Sequence, residues 1–170
     1  MPDLITNQVI PEILEVKDWQ RFRNIRIASL KNDPDAFGGN FEQIMQQTQS
    51  EWESKFQQLT PLVAAISGED IALMTIENLN GDFGATCWIG GCWVAPQFRG
   101  QGVMRKLFEF VDKNAKEKSW EVQGLGVWVT NHPAIAAYRA LGFAEKGEPV
   151  PSSSKPGMFY QRMIRTAHIV

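Results

Sequence analysis

The chemistry in this chain is most legible in six consecutive residues, Gln97-Phe98-Arg99-Gly100-Gln101-Gly102. Two glycines let the main chain come close to a ligand and adopt positive φ. The residues from Gly102 to about Lys118 repeat with helical spacing, so the turn sits at the mouth of a helix. First-turn N–H groups of a helix have no internal partner, and the peptide dipoles add partial positive charge there. Arg99, Arg105 and Lys106 bring full charges nearby. Together these features suit an anionic phosphate group. The plainer reading is a tight strand-to-helix turn that uses glycine only for its geometry; it leaves the coincident cations unexplained. The loop is not a dinucleotide fingerprint, which needs three glycines at another spacing and an acid about 20 residues on. Nor is it a Walker A loop, because Gly102 is followed by Val103-Met104.

The elements that must position this loop follow from pattern. A strand over 87–95 ends at Pro96. The helix over 102–118 turns Val103, Leu107, Phe110, Val111 and Ala115 inward and Arg105, Glu109 and Lys113 outward. A strand over 125–130 is apolar throughout, which predicts an interior, parallel strand and a right-handed βαβ unit. Upstream, a strand over 11–16 precedes a helix that Asp18 caps and that runs to about Leu30. Pro34 and Gly38-Gly39 break the chain before a second helix over about 41–59. A hairpin follows, with strands over 62–66 and 71–77, and Asn80-Gly81-Asp82 makes a further turn. Downstream, a helix starts at Asn131 or His132 with Pro133 in its first turn, and Gly142 ends it. Strands over 143–148 and 157–164 close the chain around an exposed, flexible loop over 149–156. The order predicts one α/β domain over 1–170: a mixed sheet of six to seven strands with about four helices on its faces.

Composition narrows the function classes. The chain has 170 residues, 44 % hydrophobic and 21 % charged, which is ordinary for a globular domain with a sizeable core. A net charge of −2 gives no general attraction to nucleic acid or to an anionic membrane, so neither is expected as a partner. No apolar run approaches the roughly 20 residues that span a bilayer, and the N-terminus does not read as a signal peptide. Cys87 and Cys92 are five apart on one strand, hence on opposite faces and poorly placed to pair. That favours a reducing, cytoplasmic setting. Two cysteines and two histidines in no ligand spacing predict no metal site.

The loop and its neighbours resemble the GCN5-related N-acetyltransferase superfamily. Gln97 to Gly102 matches that family's Gln/Arg-x-x-Gly-x-Gly/Ala loop, Val94-Ala95-Pro96 the strand end before it, and Leu107 an apolar helix position. A second match runs from Asn131 through Ala134 and Tyr138 to Leu141-Gly142-Phe143. The two motifs cover about the central third of the chain, and the element order extends the resemblance over nearly all of it. Met104 departs from the small residue that many members carry, but the backbone donors survive the change.

The resemblance implies a central twisted sheet with two parallel strands, ending near Val94 and Thr130, that splay apart to admit acetyl-CoA. It implies that Arg99, Gly100, Gln101, Gly102, Val103 and Met104 cradle the pyrophosphate. It further implies that the main chain at Trp93 and Val94 pairs with the pantetheine arm, that Gly90-Gly91 bulges the strand, and that Asn131 lies at the cofactor site. Under the same resemblance Tyr138 protonates the departing thiolate. A phenol, with an ordinary pKa of about 10, is matched to that task, and Tyr138 shares a helix face with Asn131, seven residues before it. Read without the family, Asn131 is a helix cap and Tyr138 a residue at the rim of the core.

The general base stays open. The strand CWIGGCWVA has no carboxylate, and Glu42, Glu77 and Asp82 each read more simply as solvated surface residues. Cys92 reads as a small core residue rather than a nucleophile. Trp19, Trp52, Trp88 and Trp128 read as core packing. Loops 33–40 and 149–156 are expected to line the acceptor site, their aromatic and acidic residues tolerating a cationic amine. The leading expectation is an acetyl-CoA-dependent N-acetyltransferase acting on a primary amine of a small molecule or protein. The alternatives are a non-catalytic acyl-CoA-binding sensor and a nucleotide-phosphate-binding protein of another fold. The acceptor and the oligomeric state, a homodimer included, stay open.

Overall fold

A computed structural model describes residues 7–37, 40–79 and 82–169. The expected break at Gly38-Gly39 and most of the Asn80-Gly81-Asp82 turn lie outside the described residues. The strands are β1 (Ile10–Ile13), β2 (Leu59–Ile66), β3 (Glu69–Asn78), β4 (Cys87–Val94), β5 (Val122–Trp128), β6 (Ala144–Glu145), β7 (Val150–Pro151) and β8 (Phe159–Thr166). The helices are α1 (Trp19–Asn32), α2 (Phe41–Met45), α3 (Gln49–Ser54), α4 (Val103–Lys113), α5 (Ala115–Lys118) and α6 (His132–Ala140). The strands hydrogen bond in the order β1-β2-β3-β4-β5-β8-β6, with β7 on β8, in a mixed α/β sheet of eight strands. By contacts the chain divides into two compact units, Met1–Glu77 with Gly91–Phe110 and Asn78–Gly90 with Val111–Val170.

In the first unit, β1, β2 and β3 form an antiparallel meander. Its core gathers Leu14, Phe22, Ile25, Trp52, Leu73 and Trp93. Phe22 meets the rings of Trp52 and Phe56 edge-on, at 5.3 and 5.7 Å. α1 buries Phe22, Ile25, Ser29 and Leu30, the 3.6-residue stripe of its sequence. Asp18 stands at its N-cap position but does not cap it; the carboxylate accepts instead from the Glu15 backbone N–H at 3.0 Å, around a short 3₁₀ turn.

The expected helix over 41–59 is two short helices. Thr48 interrupts it, because its hydroxyl accepts from the Glu51 N–H at 3.2 Å and starts α3 afresh. Glutamine has good helix propensity, so the sequence hides this break.

In the second unit, β5 pairs parallel with β4 over Cys87↔Gln123, Trp88↔Gly124 and Ile89↔Leu125, and antiparallel with β8 along its whole length. The expected parallel strand therefore has one parallel and one antiparallel neighbour, and it begins at Val122 rather than 125. α6 carries Pro133 in its first turn, and Gly142 follows it with φ 101°. The loop over 149–156 is more ordered than expected. Val150 and Pro151 pair with Tyr160 and Phe159, and the Ser152 hydroxyl accepts from the backbone N–H groups of Ser154 and Lys155. The expected helix over 102–118 divides at Asn114 into α4 and α5. The extra strand β7 and the divided helices account for the difference from six to seven strands and about four helices.

A buried polar network holds α4, β5 and β8 together. Arg165 donates through Nη2 to Asp112 Oδ2 at 2.6 Å and through Nη1 to Asp112 Oδ1 and Gln123 Oε1 at 2.9 and 2.7 Å. Its Nε donates to the Leu141 carbonyl at 2.8 Å, and Gln123 Nε2 donates to Asp112 Oδ1 at 3.0 Å. Every charge is matched, which is the condition for burying ions without large cost.

Candidate functional site

The loop Gln97 to Gly102 is built as its residue types require. After Pro96 a short 3₁₀ turn leads to Gly100 at φ 74° and Gly102 at φ 80°. Both lie in the region where side chains other than glycine are strained. A Cβ at Gly100 would meet nothing within 4 Å, so conformation rather than space selects glycine there. Gln101 latches the turn by donating from Nε2 to the Gln97 carbonyl at 3.1 Å. Val103, 2 % exposed, anchors the first turn of α4 in the core, while Met104 is half-buried. The Lys106 N–H takes the Gly102 carbonyl at 3.0 Å, so the helix ladder starts there. The first-turn N–H groups of an α-helix then lack intrahelical partners, as anion binding requires.

Arg99 has structural work of its own. Its Nε donates to the Val94 carbonyl at 2.8 Å, and its Nη2 donates to Asp33 Oδ2 at 2.7 Å. The same Asp33 oxygen accepts from Trp93 Nε1 at 2.7 Å. Burial pushes the Asp33 carboxyl up, but the hydrogen bonds from Trp93 and Arg99, with the charge of Arg99, outweigh it and hold the carboxyl below its ordinary range. Trp93 is buried among Phe22, Trp52 and Leu73, so its indole is a core side chain pinned at its polar edge. Gly91, two residues earlier, has φ 60°, a left-handed kink within β4.

In the second unit Asn131 is the N-cap of α6, its Oδ1 accepting from the Ala134 N–H at 3.2 Å. Tyr138 is half-buried on α6, its ring edge-on to Phe143 at 5.8 Å. Cys87 is buried, and burial followed by the charge of Glu121 pushes its thiol up to about 12, which disfavours the thiolate. Glu42 and Glu77 are exposed. Of the tryptophans expected in the core, Trp52 is fully buried and Trp19, Trp88 and Trp128 partly so, while Trp120 is a core residue that the pattern did not single out. No group of three or more potential metal ligands occurs among the described residues.

Sequence reasoning missed Arg26. It stands on α1 between Phe22 and Leu30 at four-residue spacing, in register with the buried stripe. A charged residue in that register was the available signal. Its guanidinium lies 5.0 Å from the centre of the Phe37 ring, and burial pushes its pKa below the ordinary arginine value.

Comparison with known proteins adds family and fold. The model of the acetyltransferase (GNAT) family matches residues 19–143. No curated protein matches the sequence. A GNAT-family acetyltransferase structure from Streptococcus pneumoniae superposes with a TM-score of 0.73 at 15 % identity, covering 94 % of this chain and 99 % of that one. Spermidine N-acetyltransferase from Vibrio cholerae, solved with CoA and spermine, gives 0.71 at 17 % identity over 95 % and 96 %. Ribosomal-protein-S5-alanine acetyltransferase from Vibrio fischeri gives 0.74 at 12 % identity over 94 % and 93 %. At these identities the likeness is one of fold.

Proposed function

Because the chain belongs to the acetyltransferase (GNAT) family, we propose that it transfers an acetyl group from acetyl-CoA directly to a primary amine. The observation that carries this reading is the loop Gln97 to Gly102: two glycines at positive φ in front of an 11-residue helix. The N–H groups of the loop and of the first helical turn, at Gly100 to Met104, hold the pyrophosphate. Arg99 acts as a strut. Its side chain ties the loop to Asp33 and to the Val94 carbonyl, and the strand edge assigned to the pantetheine arm is the main chain at Trp93 and Val94. Acetyl-CoA supplies the activated acyl group as co-substrate, and nothing in the chemistry calls for a metal.

The amine lone pair attacks the thioester carbonyl carbon, a C–N bond forms, and the C–S bond breaks. The developing oxyanion takes a backbone N–H of β4. The sulfur leaves with the bonding pair and receives a proton from Tyr138; the nitrogen gives its surplus proton to solvent, and the phenolate takes one back from solvent, so the proton count closes. Asn131 caps α6 and thereby fixes the helix that carries Tyr138. Two of the similar structures were solved with CoA, a spermidine N-acetyltransferase that also holds spermine and a ribosomal L7/L12 α-N-protein acetyltransferase, and they support an amine acceptor without choosing one. The test is a thiol-release assay with acetyl-CoA and a panel of amines. Turnover on at least one amine is expected; CoA binding without turnover on any would overturn the transfer reading.

A further inference from the structure

Arg26 reaches from α1 to the kink of β4. Its Nη1 lies 3.6 Å from where a Cβ on Gly91 would stand, and Thr75 Oγ1 lies 3.7 Å from the same point. Nη1 is buried and has no hydrogen-bond partner among the described residues. Phe37 lies over the guanidinium face. Burial is the one resolved cause of its lowered pKa, with no acid compensating. Proteins seldom leave a buried cation edge in that state unless something completes it.

The surroundings add positive rather than negative charge. Lys55 sits over the Trp52 ring at 5.0 Å. Burial lowers its pKa, the charge of Arg26 lowers it further, and Glu51 pulls the other way. The Trp52 indole N–H is also buried and unpartnered among the described residues. The acids of the neighbouring loop do not supply the balance: Asp33 is engaged by Trp93 and Arg99, and Asp35 is exposed.

We infer that the amine acetylated by this protein also carries a carboxylate, and that Arg26 binds that carboxylate, with Lys55 in support. The inference rests on the reading that the acyl donor lies along the end of β4, which Gly91 adjoins. A guanidinium edge is matched in shape and charge to a planar carboxylate. One unpartnered guanidinium nitrogen and one ammonium fit a single negative charge. The same positive field disfavours the ammonium form of the acceptor, so it helps present the free amine on a strand that has no carboxylate of its own. A polyamine, cationic along its length, would be repelled.

The test compares 4-aminobutyrate with 1,4-diaminobutane, and glycine with glycinamide, in acetyl-CoA-dependent thiol release. The carboxylate-bearing member of each pair is expected to have a kcat/KM at least about tenfold higher. Arg26→Gln should erase that preference through KM, Arg26→Lys should restore part of it, and CoA affinity should not change. Removing an uncompensated buried cation should leave the melting temperature of Arg26→Gln at or above that of the wild type, which separates a binding role from a structural one. Equal or reversed preference, or a preference that survives Arg26→Gln, would overturn the inference. Calorimetry of 4-aminobutyrate with wild-type and Arg26→Gln protein reads the carboxylate site without turnover. Binding lost in the variant supports the carboxylate site at Arg26 even if the transfer reading fails, and binding equal in both, or in neither, contradicts it.

Discussion

Arg99 and Asp33 are 66 residues apart in sequence and joined by a 2.7 Å hydrogen bond that ties the loop after β4 to the end of α1. Asp33→Asn should lower stability by about 1 kcal/mol, a modest figure because the pair is partly exposed. The depressed carboxyl fixes the sign of the pH dependence. Its contribution is present above the unfolded-state pKa of about 4 and is lost as pH falls through the lower folded value. Urea midpoints of wild type and variant should therefore differ at pH 7 and converge at strongly acid pH. A gap that widens on acidification would contradict the assignment.

The network of Arg165, Asp112 and Gln123 is the opposite case, with Asp112 buried and Arg165 nearly so. Arg165→Leu leaves the Asp112 carboxylate without its partner and should cost about 3–5 kcal/mol. Adding Asp112→Leu should recover much of that loss, because it removes the stranded charge. Urea denaturation of the single and double variants measures both, and a double variant no more stable than Arg165→Leu would refute the account.

Tyr138→Phe keeps the ring against Phe143 and removes only the hydroxyl. Turnover should fall by about 10²-fold or more, the usual contribution of a placed proton donor. CoA affinity and melting temperature should be nearly unchanged. Steady-state kinetics beside calorimetry checks this, and unimpaired turnover would remove Tyr138 from the mechanism.

The glycine loop, α6 with its Asn131 cap and Gly142 stop, and the order of strands were legible because each is written in local signals. Polar partnerships were not. Arg26, Asp112 and Arg165 each fall in register with a buried stripe, yet a charged residue read alone is assigned to solvent; Asp112 and Arg165 are matched to each other across 53 positions, which no local pattern shows. Asp33 was read as an acceptor-loop acid for the same reason; its partners Trp93 and Arg99 lie 60 and 66 residues on. The break at Thr48 was hidden by the helix propensity of the surrounding glutamines, and β7 is too short to leave a periodic trace.

Titration calorimetry of CoA against the wild type and Gly102→Ala most directly tests the claim that the loop holds the pyrophosphate. Alanine at φ 80° is strained by about 1–2 kcal/mol, enough to displace the first-turn N–H groups. The account predicts one-site CoA binding that weakens about tenfold in the variant, while pantetheine, which lacks the pyrophosphate, distinguishes the two proteins little. No CoA binding by the wild type, or equal CoA affinity in a folded Gly102→Ala, would contradict it.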